Sequence, residues 1–93
     1  MIVQVQLEIR STNKTLPAVY RIYANNDLIT ERTWGWDAAT TIDESFALEL
    51  EPGQHTITLE ATDSNSTNFY ISNPRINQEP CGSINGLTLT FTV

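Results

Sequence analysis

Apolar and polar residues alternate along most of the chain, which is the pattern of β-strands with one buried face. In residues 3–10 every apolar residue is odd-numbered, and in residues 87–93 threonines separate the apolar positions. Residues 46–51 and 56–61 alternate in the same way. No stretch of ten or more residues shows a helical period. The pattern therefore predicts an all-β chain.

Turn signals divide the pattern into about seven strands. Pro52-Gly53 predicts a hairpin over residues 46–61, because proline fixes φ and glycine accepts a positive φ. Asn25-Asn26-Asp27 predicts a second turn, between strands at residues 18–24 and 28–34. Pro74 follows the start of a strand at residue 69 and predicts either an edge strand or a bulge.

Seven strands with frequent turns predict a two-sheet antiparallel β-sandwich, jelly-roll-like in type. A chain of 93 residues is the size of one domain, so residues 1–93 are expected to form a single sandwich. The predicted terminal strands reach both ends of the chain, which indicates a complete gene product. The predicted strands at residues 2–10 and 87–93 are interpreted as lightly protected sheet edges.

The charge and cysteine content exclude several classes of partner and compartment. Five basic residues stand against eleven acidic ones, so no basic face for nucleic acid or an anionic membrane is expected. Cys81 is the one cysteine, which excludes an internal disulfide. The chain begins with no signal peptide, and a reducing compartment or release by cell lysis is expected.

Residues with catalytic potential do not form a recognisable catalytic set. His55, the single histidine, follows the Pro-Gly turn and is interpreted as a half-exposed strand histidine. Cys81 lies in a predicted loop with no basic residue near it in sequence to activate its thiol. Glu49 and Glu51 fall on a predicted solvent face. The chain is therefore expected not to be an enzyme.

An oxygen-rich segment at residues 63–68 is a candidate calcium site. It begins like an EF-hand loop, and Asp63, Asn65 and Asn68 are the candidate ligands. It departs from that loop because Asn68 replaces the turn glycine and Pro74 stands at position 12 in place of glutamate. Loops of β proteins also use these residue types without a metal. No cofactor is expected, with calcium as the open alternative.

Aromatic residues are the candidate binding residues. Trp34 and Trp36 point the same way in an extended segment, which would form a platform for a sugar ring or a protein partner. Tyr23 and Tyr70 are added as neighbours of this platform. The alternative is that the tryptophans close one end of the sandwich as a hydrophobic lid.

Residues 18–78 resemble non-catalytic carbohydrate-binding β-sandwich modules and small proteins encoded by bacteriophages. The motifs that carry the resemblance are Val19-Tyr20-Arg21-Ile22-Tyr23, Pro52-Gly53-Gln54-His55-Thr56-Ile57 and Phe69-Tyr70-Ile71-Ser72. The Arg-Asp pair of calcium-dependent xylan-binding modules is missing, so the resemblance implies no particular site residues.

Two functions follow from these observations. The first is a non-enzymatic accessory protein of a phage virion, either a capsid decoration or cement protein or a tail component. It would be made in the host cytoplasm and dock through strand edges and loops onto other virion proteins or copies of itself. The second is a stand-alone carbohydrate-binding module that uses Trp34 and Trp36, with or without calcium.

Overall fold

The computed structural model describes residues 1–11, 18–35, 40–62 and 69–93. These residues form nine strands and no helix, so none of them belongs to a helix that could span a membrane. The strands are β1 (Ile2–Ser11), β2 (Ala18–Ala24), β3 (Asp27–Trp34), β4 (Thr41–Glu49), β5 (Gln54–Ala61), β6 (Phe69–Ile76), β7 (Glu79–Pro80), β8 (Ser83–Asn85) and β9 (Thr88–Thr92).

The strands form two antiparallel sheets in a sandwich-like arrangement, which confirms the predicted fold class. Sheet A has the order β4-β1-β6-β7, and sheet B has the order β3-β2-β5-β9-β8. Alternation sets which side chains face inward: Val5 of β1 and Leu89 of β9 are both fully buried. Phe69 of sheet A contacts the Tyr20 ring of sheet B at 5.2 Å between centroids, so the core lies between the sheets.

The predicted hairpin over residues 46–61 is wrong. β4 pairs with β1 in sheet A, with Phe46 opposite Val5, whereas β5 pairs with β2 and β9 in sheet B. The Pro52-Gly53 turn therefore crosses from one sheet to the other. Gly53 and Val93 exchange two backbone hydrogen bonds of 3.0 Å, which fasten this crossing to the end of sheet B. Alternation shows only that each strand has one buried face. Two successive strands bury these faces equally well whether they pair as a hairpin or lie in opposite sheets.

The predicted turn at Asn25-Asn26-Asp27 is confirmed, and of the two alternatives given for Pro74 the structure has the bulge. β2 and β3 form a hairpin whose turn residues Asn25 and Asn26 have φ of 50° and 73°, the positive values that hairpin turns require. The β1–β6 register shifts between Gln6 and Glu8, so β6 has one extra residue at Asn73 and Pro74. This is the predicted bulge, because proline supplies no hydrogen for the ladder.

The predicted edges were wrong, because edge position depends on strand order rather than on local sequence. β1 lies between β4 and β6, and β9 lies between β5 and β8. The edge strands in the described sheets are β4 and β7 in sheet A and β3 and β8 in sheet B. β7 and β8 contain two and three residues, too few for a periodic pattern, and they account for the difference from the seven predicted strands.

The edge strands β3 and β4 each direct a charged side chain toward the space between the sheets. Arg32 Nε of β3 lies 3.0 Å from Glu44 Oε1 of β4, and Glu44 is only 7% exposed. The Tyr20 hydroxyl donates to the same carboxylate oxygen at 3.0 Å. An inward-pointing charge on an edge strand opposes pairing with another chain. This flank is therefore closed by an ion pair, and it is a poor surface for strand addition.

Candidate functional site

The outer face of sheet A carries a row of polar side chains that the register brings together. The same alternation that buries the odd-numbered residues of β1 turns Glu8 and Arg10 outward. Arg10 lies between Thr41 of β4 and Tyr70 of β6. Two shallow depressions, of about 280 Å³ and about 460 Å³, lie side by side there and share Glu8 and Thr41. We call this surface the sheet A face.

Arg10 and Tyr70 form a stacked cross-strand pair at one side of the sheet A face. The guanidinium carbon of Arg10 lies 5.1 Å from the centre of the Tyr70 ring, within the range of a cation–π contact. Tyr70 is 47% exposed, so part of its ring remains accessible to a ligand. The pair therefore offers an aromatic surface beside a fixed positive charge.

The neighbouring row on the sheet A face is held by polar contacts across β4, β1 and β6. Arg75 Nη2 of β6 reaches over β1 to Asp43 Oδ1 of β4 at 2.5 Å. The Asn73 side-chain amide donates to both oxygens of Glu8 at 3.4 Å. Asn73 occupies the β6 bulge with φ of 51°, and a bulge of this kind redirects a side chain. These contacts preorganise hydrogen-bonding groups over the surface of three strands.

Trp34 does not belong to an exposed platform, which corrects the prediction made for it. Its side chain is fully buried, and its ring contacts Phe69 edge to face at 6.1 Å between centroids. The large indole fills the space between the sheets at the end where β3 stops and β6 begins. This is the alternative of a hydrophobic lid. Trp36 lies outside the described residues.

The two candidate tyrosines lie on different sheets. Tyr23 stands opposite Thr58 on the outer face of sheet B, where it lines a depression of about 250 Å³ with Asn26, Thr58 and Glu60. Tyr70 lies on the sheet A face. The structure therefore does not bring Tyr23 and Tyr70 into one site. Tyr70 has Arg10 over its ring, whereas Tyr23 has Arg21 as a hydrogen-bond partner.

The candidate calcium ligands Asp63, Asn65 and Asn68 lie outside the described residues. Within the described ranges, no three or more His, Cys, Asp and Glu side chains are grouped closely enough to hold a metal ion. The described strands thus contribute no metal centre of their own to the sheet A face.

His55 is a half-buried strand residue, as predicted, and both of its ring nitrogens are hydrogen-bonded. Nε2 lies 2.7 Å from the Glu51 carbonyl oxygen, and Nδ1 lies 2.8 Å from the Asn25 side-chain nitrogen. A carbonyl only accepts, so Nε2 carries the hydrogen and Nδ1 accepts from Asn25. The imidazole thereby joins the β2–β3 turn to β5, which is a structural role.

Sequence reasoning missed most of the sheet A face. Glu8 and Arg10 were visible as outward residues of an alternating strand, but nothing local pointed to their neighbours. Asp43 and Arg75 are 32 positions apart in the chain and meet only because β4 and β6 flank β1. The signal that could have found them is the pairing order of the strands.

No protein-family model, no curated protein and no solved structure matches the chain. The geometry of the described residues is therefore the main support for a function.

Proposed function

We propose that this protein is a non-enzymatic carbohydrate-binding protein whose ligand lies on the sheet A face. The observation that carries the proposal is the exposed Tyr70 ring, stacked beside Arg10 and next to a row of preorganised polar groups. Sugars present apolar C–H faces to aromatic rings and hydroxyl groups to planar amides, carboxylates and guanidinium groups. The sheet A face combines both kinds of group, as binding sites do.

The partners of the acidic residues favour binding over catalysis. A glycosidase needs one carboxyl group to act as an acid and a second to act as a base or nucleophile on either side of the bond. On the sheet A face, Asp43 is held by Arg75 and Glu8 by Asn73. Both depressions are shallow and open to solvent, whereas bond cleavage benefits from a site that excludes water.

A glycan array tests this proposal with two tyrosine variants. We expect wild type to bind at least one class of glycan and Tyr70→Ala to bind it more weakly, by about 2- to 12-fold for the loss of an aromatic contact. Tyr23→Ala is the matched control, because Tyr23 lies on the outer face of sheet B. Equal losses in the two variants, or no binding to any glycan at millimolar concentration, would contradict the proposal.

We also propose an accessory role in a phage virion, carried by the outer faces of both sheets at one end of the sandwich. Ile2 is 67% exposed at the start of β1, and Leu28 is 55% exposed beside the β2–β3 turn. Both lie at the end of the sandwich opposite Trp34 and Phe69. Exposed apolar side chains are suited to anchor a protein contact. Docking on virion proteins or on further copies of the chain would use this end rather than the strand edges.

Mass spectrometry of purified phage particles tests the virion role. We expect the protein in the particles of the phage that encodes it, and we expect less incorporation of an Ile2→Ser/Leu28→Ser variant. Tyr70→Ser, which removes an exposed aromatic side chain from the sheet A face, is the control and should be incorporated normally. Absence of the wild-type protein from purified particles would contradict this role.

A further inference from the structure

The four arginines of the chain all lie in the described strands, and three of them are paired with a carboxylate. Arg21 lies 2.7 Å from Glu31, Arg32 lies 3.0 Å from Glu44, and Arg75 lies 2.5 Å from Asp43. Arg10 forms no ion pair with a described carboxylate, and its guanidinium lies over the Tyr70 ring. Arg10 is also exposed. It is thus the arginine whose guanidinium donors are available to a ligand.

A shortage of acids does not explain why Arg10 is unpaired. The chain has eleven acidic residues against five basic ones. Glu8 lies two positions away on the same strand and the same face, roughly 7 Å along a β-strand. The Glu8 carboxylate nevertheless accepts from Asn73. The contacts of the sheet A face therefore keep the nearest carboxylate engaged elsewhere and leave the guanidinium of Arg10 open.

Stacking prepares the Arg10 guanidinium for a planar anion. The guanidinium lies over the Tyr70 ring, and its N–H donors lie in one plane, in a fork that matches a carboxylate. Fixing the group on a ring lowers the entropy lost when it binds. Guanidinium and carboxylate match in a two-bond geometry, which gives a short, charge-assisted contact.

The surroundings of Arg10 favour a bound anionic group that carries a single charge. Glu8 lines the same depression, and the formal net charge of the chain is −6. A phosphate or a densely sulfated ligand would be repelled by these negative charges, and one unpaired guanidinium would not offset the repulsion of several ligand charges. A carboxylate carries one charge and needs one arginine. The hydroxyl-bearing side chains of Thr41 and Ser72 line the same depression and suit the hydroxyl groups of a sugar.

We infer that Arg10 binds the carboxylate of a uronic-acid residue, whose sugar ring lies against Tyr70 in the depression that Thr41 and Ser72 also line. This inference rests on the proposed carbohydrate-binding function and specifies its ligand as an acidic saccharide. Arg10 supplies the selectivity between acidic and neutral sugars, and Tyr70 supplies the ring contact common to both.

Isothermal titration calorimetry with matched acidic and neutral saccharides tests the inference. The probes are tetragalacturonate, tetraguluronate and a hyaluronan tetrasaccharide, together with the methyl ester of each and xylotetraose as a neutral sugar. We expect at least one acidic form to bind, and its ester to bind about 10-fold more weakly or worse. Arg10→Gln should lower the affinity for the acid by a similar factor and lower that for the ester by much less.

Arg21→Gln is the matched control, because it removes the same charge from the outer face of sheet B. It should bind the acidic saccharide as wild type does, and Arg10→Lys should recover only part of the affinity because it lacks the planar fork. Circular dichroism melts of the three variants check that each remains folded.

The possible outcomes separate the inference from the proposed function. If a neutral glycan binds, depends on Tyr70 and is unaffected by Arg10→Gln, the uronate inference is overturned and the carbohydrate proposal stands. If no saccharide binds at millimolar concentration, both are overturned. Binding of a peptide with a free C-terminal carboxylate, dependent on Arg10, in place of every saccharide would also overturn both.

Discussion

Replacement of Glu44 by alanine is predicted to lower the free energy of unfolding by about 3 kcal/mol. Among the described residues, Glu44 is the one charged side chain that is buried. It belongs to β4 of sheet A, and both of its partners, Tyr20 and Arg32, belong to sheet B. The variant therefore removes a polar connection between the two sheets at the flank where both have an edge strand.

The magnitude follows from the two contacts that are lost. The Tyr20 hydroxyl donates to an ionised group at 3.0 Å, and loss of such a bond with a buried donor left behind costs about 2 kcal/mol. The Arg32 guanidinium is half exposed, so its ion pair with Glu44 contributes at most about 1 kcal/mol. Tyr20→Phe should cost only about 1 kcal/mol, because it removes the donor itself.

Urea denaturation followed by tryptophan fluorescence measures these differences. In the double variant Tyr20→Phe/Glu44→Ala no hydroxyl is left without an acceptor, so the combined loss should be smaller than the sum of the single losses by about 1 kcal/mol. Glu60→Ala is the control, since Glu60 is exposed on β5 and should change stability by less than about 0.5 kcal/mol. A loss of stability in Glu44→Ala no larger than that in Glu60→Ala would show that Glu44 does not connect the two sheets.

Two further predictions concern pH and a glycine. Burial, together with the negative charge of Glu44, raises the pKa of Tyr20 well above its ordinary value of 10.0. The folded state then holds the tyrosine proton more tightly than the unfolded state, so this stability is complete below about pH 10 and is lost at higher pH, at up to about 1.4 kcal/mol per pH unit. Urea titrations at pH 8 and pH 11 should show that the free energy of unfolding falls less between these pH values in Tyr20→Phe than in wild type. Equal decreases in the two proteins would contradict the assignment. Gly82→Ala should destabilise by about 1–3 kcal/mol, because φ is 92° and an added Cβ would lie 2.8 Å from both a leucine methyl and a backbone oxygen. Gly86→Ala, at φ of 61° in open space, should cost less stability. Thermal melts of the two variants compare them, and the reverse order would count against this packing.

The buried and exposed faces of the strands could be predicted from sequence, because the alternation of side chains along a strand is a local property. The odd-numbered residues of β1 are buried, and the β2–β3 hairpin has the turn that its asparagines indicate. The order of the strands is a long-range property, and it could not be predicted in this way. The Pro52-Gly53 turn joins two alternating segments whether they pair in one sheet or face each other across the core.

In the candidate site, too, local features could be predicted from the sequence and long-range contacts could not. Tyr70 was named from the sequence only as a neighbour of the tryptophans, and Arg10 was visible only as one outward residue of β1. Their contact depends on β6 lying next to β1, which neither segment encodes by itself. Trp34 was misassigned because the same large aromatic residue serves equally well as an exposed binding surface and as the filling of a small core.

The most direct test of the account is an NMR titration that locates the ligand on the fold. Amide chemical shifts of the ¹⁵N-labelled protein would be followed as tetragalacturonate, tetraguluronate and the hyaluronan tetrasaccharide are added in turn. We expect the changes to concentrate on β1, β4 and β6 around Arg10 and Tyr70, and we expect the outer face of sheet B around Tyr23 to stay unchanged. Changes centred on sheet B, or no change with any of the three saccharides at millimolar concentration, would contradict this expectation.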